Sequence, residues 1–463
     1  MADPLILPAP KVQPPLDAAF RPAALAQRAF AAQAASAGPA KARLALEQAD
    51  GSVFHFETPV LPENAPGATH NFFFVERLLK FLLWQRGGFR VYFDGPATVG
   101  RQLQDYFKTT PTGKFDADIM GTRIYGQPFE VVLTRDIPPA RANTTPLGRH
   151  LGGCRIGFDL GASDRKAAAV IDGRVVFSDE TVWNPVPQSD PQWHFDQVMD
   201  SLKKAAQHLP RVDAIGGSSA GVYVNNRVRV ASLFRGVPAE KFDRVRNLFL
   251  ELQKAWGGIP FEVVNDGEVT ALAGSMALNE NAVLGVAMGS SQAGGFVTPE
   301  GNITSWLNEL AFAPVDYSPT APVDEWSGDR GCGVQYFSQQ GVGRLMIPAG
   351  IEAPAGEPLP EKLVRVQKLM EQGDARAEKI YQTIGVYLGY AAAHYAGFYD
   401  YRRMLVLGRV TTGKGGEIIL NRAREVLQAE FPELAGKIRF DMPDEKEKRH
   451  GQAIAAASLP AAK

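Results

Sequence analysis

Four short segments of this chain place chemistry-bearing residues where a strand-like run gives way to a turn or helix. In Phe261–Ala277 (FEVVNDGEVTALAGSMA) an apolar run ends at Asn265-Asp266 and a helix of small residues follows. A carboxylate at such a junction can take the proton of an alcohol that attacks phosphorus. It can equally cap the helix beginning near Gly267, and spacing alone favours the cap. In Ile156–Val176 (IGFDLGASDRKAAAVIDGRVV) a strand carries Asp159 to its end, and Gly161, Ala162 and Ser163 turn the chain into a second strand. Small residues let backbone N–H groups approach an anion, and a carboxylate there could hold a hydrated Mg²⁺. A plain hairpin carries the same pattern. Val283–Ile303 repeats the arrangement, with Gly289-Ser290-Ser291-Gln292-Ala293-Gly294-Gly295 free of bulky apolar side chains between two apolar strands. In Met404–Leu427 a strand ends at Gly408, and Gly413, Gly415 and Gly416 precede a helix. Small residues there leave room for a purine and ribose, or simply make a loop.

Strand-like and helical runs alternate from Arg155 to the end, which argues an α/β architecture. Strands are expected at Arg155–Leu160, Ala167–Ile171, Gly173–Phe177, Ala214–Gly217, Phe261–Val264, Val283–Ala287 and Met404–Leu407. Helices are expected at Phe195–His208, Lys241–Ala255, Glu268–Met276, Glu361–Gln372, Asp374–Ala396 and Gly415–Gln428. Four regions follow: an Ala/Pro-rich mobile arm (1–45), an appended α/β unit with linker (46–150), an N-terminal lobe (151–270) and a C-terminal lobe (271–463). Within the appended unit, Phe72–Trp84 (FFFVERLLKFLLW) is too short and too charged to span a membrane and reads as an amphipathic helix.

Composition narrows the function classes. With 463 residues, 45% hydrophobic and 21% charged, the chain has the composition of a soluble globular protein. A net charge of −1 argues against a nucleic-acid partner. Cys154 and Cys332, the two cysteines, read as reduced thiols in a cytoplasm. His194, His208, His394 and His450 are scattered and read as ordinary core or surface residues. Asp324, Glu325 and Asp329 read as a solvated loop, and Asp444–Arg449 as the charged start of a surface helix.

In order and spacing, the four segments resemble the ROK family (repressor, open reading frame, kinase) of the sugar-kinase/actin superfamily, over roughly residues 155–459. The Asp159 segment looks like the family's DxGGTK phosphate motif. Asn265-Asp266 matches its catalytic strand–helix junction, and Gly289–Gly295 its GTGxGGG turn. Gly373–Val410 resembles its long helix and adenosine strand. The resemblance implies a two-lobed, actin-like (ribonuclease H-like) ATPase fold. It implies an ATP- and Mg²⁺-dependent kinase with Asp266 as base, with Asp159 on the metal. Gly161, Ala162, Ser163, Gly289, Ser290, Ser291 and Gly294 would lie on phosphate, and Gly408 and Gly413 beside the adenosine. A sugar would be held by Asn265, Glu309, Ser232 and Phe312. A catalytically silent sugar or nucleotide sensor is the alternative, and a homodimer is one assembly the sequence allows.

The departures are specific. The family's ExGH segment reads Glu309-Leu310-Ala311-Phe312, so its His is Phe. Of the zinc motif CxCGxxGC there remains Asp329-Arg330-Gly331-Cys332, and one thiol cannot close a tetrahedral site, so no zinc is expected. Ser232 stands where the family has Asn, and Asp164 where a Lys is common. Losing the His in favour of an apolar wall points away from glucose toward an aminated, acylated or deoxygenated sugar or a cyclitol.

Overall fold

The structure is a computed structural model and describes residues 5–142, 146–442 and 445–461. The chain divides into two compact units. The first comprises Met1–Thr144, Val286–Gly294 and Trp306–Met442; the second comprises Thr145–Gly285, Gly295–Ser305 and Pro443–Lys463.

The first unit opens with a four-stranded sheet of β1 (Lys41–Glu47), β2 (Val53–Pro59), β3 (Arg90–Asp94) and β4 (Glu130–Leu133), in the order β2-β1-β3-β4. Strand β1 pairs antiparallel with β2 and β3, and β3 runs parallel to β4. The expected mobile arm is not loose. Its helix Ala23–Ala37 is followed directly by β1. Upstream, Val12 N donates to Tyr390 Oη (3.3 Å) and Leu16 N to Thr383 Oγ1 (3.2 Å). Phe20, 2% exposed, packs on the Tyr387 ring at 4.7 Å. An aromatic anchor and backbone donors fasten a segment that composition alone marks as disordered.

The helix Asn71–Arg86 is also not amphipathic, because every residue from Phe74 to Gln85 is buried. The charged residues inside that buried stretch tolerate this because each has an opposite charge at hand: Arg77 pairs with Glu76 and Asp329, and Lys80 with Asp116 and Asp329.

The second unit is built on β5 (Cys154–Leu160), β6 (Asp164–Ile171), β7 (Arg174–Val182), β8 (Ala214–Ser219) and, after a two-stranded ribbon of β9 (Val222–Val224) and β10 (Arg227–Val230), β11 (Phe261–Asn265). The order is β11-β8-β5-β6-β7. Strands β5, β6 and β7 form an antiparallel meander, and β8 and β11 run parallel to β5. The interior strands β5 and β8 are almost wholly buried, whereas β7 alternates at the edge. Helix Pro191–Ala206 packs on the sheet; Asp190 caps it by accepting from Gln192 N (3.0 Å), with Pro191 in the first turn. The expected helix Lys241–Ala255 is broken into Phe242–Arg246 and Leu248–Ala255. At the break, Asn247 Nδ2 donates back to Asp243 O (2.9 Å), a local bond that competes with the helix. The C-terminal helix Glu445–Ala457 packs on β5 and β8, and Arg155 Nη1 donates to Ala457 O (3.3 Å) and Pro460 O (2.8 Å). Asp444, the first residue of the predicted charged run, lies outside the described residues.

The remaining sheet contains β12 (Val283–Met288), β13 (Gln292–Val297), β14 (Arg403–Leu407) and β15 (Arg439–Asp441), in the order β13-β12-β14-β15. Helices Ala375–Tyr395 and Lys414–Glu430 pack against each other in the first unit. Among the described residues, no helix is long and apolar enough to cross a membrane. Both cysteines are free and buried.

Candidate active site

In the second unit, β11 ends at Asn265 and helix Asp266–Leu278 begins. Asn265 Oδ1 accepts from Gly267 N at 2.7 Å, and its Nδ2 donates to Gly221 O at 2.8 Å. Asn265 is therefore the cap, with both ends of its amide engaged. Asp266, the first helical residue, is partly buried and places Oδ1 3.0 Å from the same Gly267 N–H. Burial, and then the charge of Asp159, push its carboxyl up to about 6, against the pull of the Gly267 N–H. A carboxylate so placed is a base close to neutral pH. The start of this helix is held tightly: Glu268 Oε2 accepts from Phe296 N (3.1 Å), and a Cβ on Gly295 would lie 2.2 Å from Gly267 O.

Asp159 sits near the end of β5, facing Lys166 of β6 on one side and Ser218 of β8 on the other. Burial raises its carboxyl, while the Ser218 hydrogen bond and Lys166 act the other way. In the following turn Gly161 N donates to Asp164 O (2.9 Å), and Trp183 clamps the turn through Nε1 to Gly161 O (2.8 Å) and N to Ser163 O (3.1 Å). Ala162 and Ser163 are exposed, and no backbone acceptor takes their N–H groups among the described residues. The acid at position 164 is neutralised locally, since its Oδ1 lies 3.1 Å from Lys166 Nζ. A cavity of about 260 Å³ lies against Asp159 and Lys166, walled in part by Ser178, Gln452 and Ala453. Ser232 is exposed and opens a short 3₁₀ turn to Phe234.

Three residues here escaped sequence reasoning: Lys166, Ser218 and Tyr223. Tyr223 Oη lies 2.6 Å from Ser219 Oγ; burial and, more weakly, the Asp266 charge hold the phenol above its usual range. Only Lys166 left a signal. The sequence started β6 at Ala167, and a strand starting at Asp164 puts residues 164 and 166 on one face.

In the first unit, Gly289 N donates to Ser291 O (2.9 Å) and Gly289 O accepts from Gln339 N (2.9 Å). Ser290 and Ser291 are exposed at the tip. Gly408 has φ 103°, and a Cβ there would lie 2.4 Å from Met288 O. Two predicted motifs, the turn after β12 and the end of β14, thus come together. Gly413, φ 72°, precedes helix Lys414–Glu430. Gly294 follows Gln292-Ala293 in β13.

Glu309 N donates to Trp84 O (3.0 Å), and the Phe312 ring stacks on Trp84 with centroids 4.3 Å apart. The position that is His in the resembled family is thus packed on the helix Asn71–Arg86. The loop expected to be solvated is buried at Asp324 and Asp329. Burial alone would raise the Asp329 carboxyl, but Arg77 (2.9 Å) and Lys80 (2.7 Å) hold it well below the usual carboxylate range. Burial pushes the Cys332 thiol up to about 12. Among the described residues no three His, Cys, Asp or Glu side chains gather as metal ligands.

Comparison with solved structures settles the architecture. A ROK hexokinase from Thermus thermophilus superposes with a TM-score of 0.51 at 20% identity, over 65% of this chain and 97% of that one. The fold is that of the ROK proteins. A ROK transcriptional regulator, a homologue of the E. coli Mlc protein, gives a TM-score of 0.51 at 18% identity, over 66% of this chain and 78% of that one. A glucokinase from Parabacteroides distasonis gives 0.51 at 14% identity, over 66% and 98%. No protein-family model matches the chain, and no curated protein matches it by sequence. The ROK fold accounts for the α/β, actin-like class, with the β7-β6-β5-β8-β11 sheet as its mixed core. About a third of the chain has no counterpart in these structures.

Proposed function

We propose that this chain is a ROK-family sugar kinase that transfers the γ-phosphate of ATP to a hydroxyl of a hexose or modified hexose. The observation that carries the reading is Asp266: a partly buried carboxylate that the helix does not need as its cap, with its carboxyl pushed to about 6. In the reaction Asp266 accepts the proton of the sugar hydroxyl. The hydroxyl oxygen forms its bond to the γ-phosphorus as the bond from that phosphorus to the ADP oxygen breaks. Asn265, fixed by its two hydrogen bonds, holds the junction and keeps one N–H for a sugar hydroxyl. Glu309 and Ser232 are the further sugar contacts, with Phe312 as an apolar wall that disfavours unmodified glucose. The open amides of Ala162 and Ser163 and the tip Gly289–Ser291 with Gly294 receive phosphate. Gly408 and Gly413 flank the adenosine. Asp159 fits Mg²⁺, since its carboxyl is raised by burial and its charge raises that of a second acid, Asp266, so a cation would relieve both. When bound, Mg²⁺ neutralises charge on the transferring phosphate.

The test is ADP release with ATP, Mg²⁺ and a panel of hexoses, amino sugars, deoxy sugars and cyclitols, run beside Asp266→Asn. Sugar-dependent ADP that is lost in the variant supports the reading, and turnover untouched by the variant sinks it. The packing of Phe312 on Trp84 favours a second reading, a catalytically silent sugar- or nucleotide-binding regulator; one of the structures of the same fold is a transcriptional regulator. Ligand binding without ADP from any sugar would select it.

A further inference from the structure

The first unit holds a cavity of about 420 Å³ that shares no residue with the candidate active site. It is walled by β1, β2, the end of helix Asn71–Arg86, the segment 140–142 and Trp306. Its described lining carries two arginines, Arg86 and Arg141, and one histidine, His55, and no carboxylate. The acids nearest in the chain are engaged elsewhere: Glu47 accepts from Arg90 Nη1 (3.2 Å) and Tyr92 Oη (2.8 Å), and Asp50 from Ser52 N (2.8 Å) and Ser52 Oγ (3.0 Å).

Arg86 is the decisive residue. Its guanidinium carbon lies over the Phe54 ring at 3.8 Å and the Trp306 ring at 3.4 Å, so both faces of the fork are covered. Its Nε is buried without a hydrogen-bond partner. Burial pushes its pKa down to about 10, the direction for a cation lacking a counter-charge. A guanidinium sandwiched between aromatic rings can be met only at its edge, in plane, which is the geometry of bidentate phosphate recognition. Arg141 lines the same cavity, fixed by Nε to Gly51 O (3.0 Å) and by paired backbone bonds to Val53. Two fixed cations in one apolar-walled cavity with no acid are complementary to a dianion. The volume exceeds what inorganic phosphate would fill and falls within the range of small-ligand sites.

We propose that this cavity binds an organic phosphate monoester, with the phosphate on the edges of Arg86 and Arg141 and the organic body against Leu46 and Val53. Calorimetric titration of the full chain with glucose 6-phosphate, inorganic phosphate, glucose and citrate tests it. Glucose 6-phosphate should saturate with a Kd below about 1 mM, at least tenfold tighter than inorganic phosphate, with no binding of glucose at this site. Arg86→Met and Arg141→Gln should each weaken it at least tenfold. Arg141 is exposed, so its variant keeps the fold, and Arg86→Met should not lower the thermal midpoint of the ligand-free protein. Three results would overturn the proposal. One is no saturable binding of the monoester. Another is binding unchanged in both arginine variants, which would place it elsewhere on the chain. The third is tighter binding of citrate, which would assign the cavity to polycarboxylates.

Discussion

Replacing Asp266 by Asn should make the protein more stable at neutral pH, and the size of the gain follows from its environment. Burial, and then the Asp159 charge, push the carboxyl up to about 6 in the folded protein, against an ordinary value of 3.8. A raised folded pKa means that folding favours the protonated form. The associated stability is therefore present below pH 3.8 and is lost as pH rises through 6. That rise in pKa corresponds to about 3 kcal/mol at pH 7.5, falling to about 1 kcal/mol at pH 4.5. Asparagine stays neutral throughout, so Asp266→Asn should recover up to about 3 kcal/mol at pH 7.5 and about 1 at pH 4.5. Urea unfolding of both proteins at the two pH values measures this. If Asp266 serves the helix instead, an ionised acid in the first turn contributes about 0.3–1 kcal/mol and the variant loses stability at pH 7.5. A loss at pH 7.5, or a difference that does not change with pH, would refute the reasoning. A gain accompanied by lost turnover would mark a site held in tension for its chemistry.

Three further outcomes are expected. With the kinase substrate in hand, kcat/KM should fall with unit slope below about pH 6 as Asp266 becomes protonated, and Asp159→Asn should move that limb to lower pH by removing the charge that helps raise the Asp266 carboxyl; pH–rate profiles of both proteins decide it. Asn265→Ala removes the cap and the bond to Gly221 O and should cost about 1–2 kcal/mol in chemical denaturation, at pH 4.5 as at pH 7.5. Lys80→Met leaves Asp116 and Asp329 buried without the cation they share and should cost about 3–5 kcal/mol, part of which Asp116→Asn returns; a neutral Lys80→Met would mean that Arg77 alone holds the loop.

The parts of the fold legible in the sequence are those set by local pattern. The runs at Arg155–Leu160, Phe261–Val264 and Phe72–Trp84 form the strands and helix expected, within a residue or two. The junction Asn265-Asp266 was visible, but which of the two caps the helix was not, because both side chains reach the same Gly267 N–H. What failed depended on distant partners. Glu76, Arg77 and Lys80 look like a polar helix face until Asp116 and Asp329, far along the chain, bury them. The arm looks disordered until Phe20 meets Tyr387. The break at Asn247 is a side-chain bond within one turn, too local for periodicity to register.

The same distant pairs make the N-terminal residues inseparable from the first unit. In the resembled family a zinc knot ties the loop that here ends in Asp329-Arg330-Gly331-Cys332. Here that loop is tied by Arg77 and Lys80, both on the helix Asn71–Arg86. That helix also buries eight apolar side chains, Phe74, Val75, Leu78, Leu79, Phe81, Leu82, Leu83 and Trp84. Phe81 packs on His394 and Phe398, and Trp84 on Phe312. At about 1.5–3 kcal/mol for each buried side chain, the surface that the helix covers is worth at least about 12 kcal/mol, as much as the whole stability of a typical domain. A chain beginning at residue 146 would keep every residue resembling the ROK motifs and still leave Asp329 without its cations and the His394 and Phe312 surfaces open to water. It should be insoluble, or bind a hydrophobic dye and lose its near-ultraviolet circular dichroism, and added zinc should not rescue it, since Cys332 is the one thiol of that unit. A truncated protein that stays monomeric and unfolds cooperatively within about 2 kcal/mol of the full chain would show that the helix is an addition to a core complete without it.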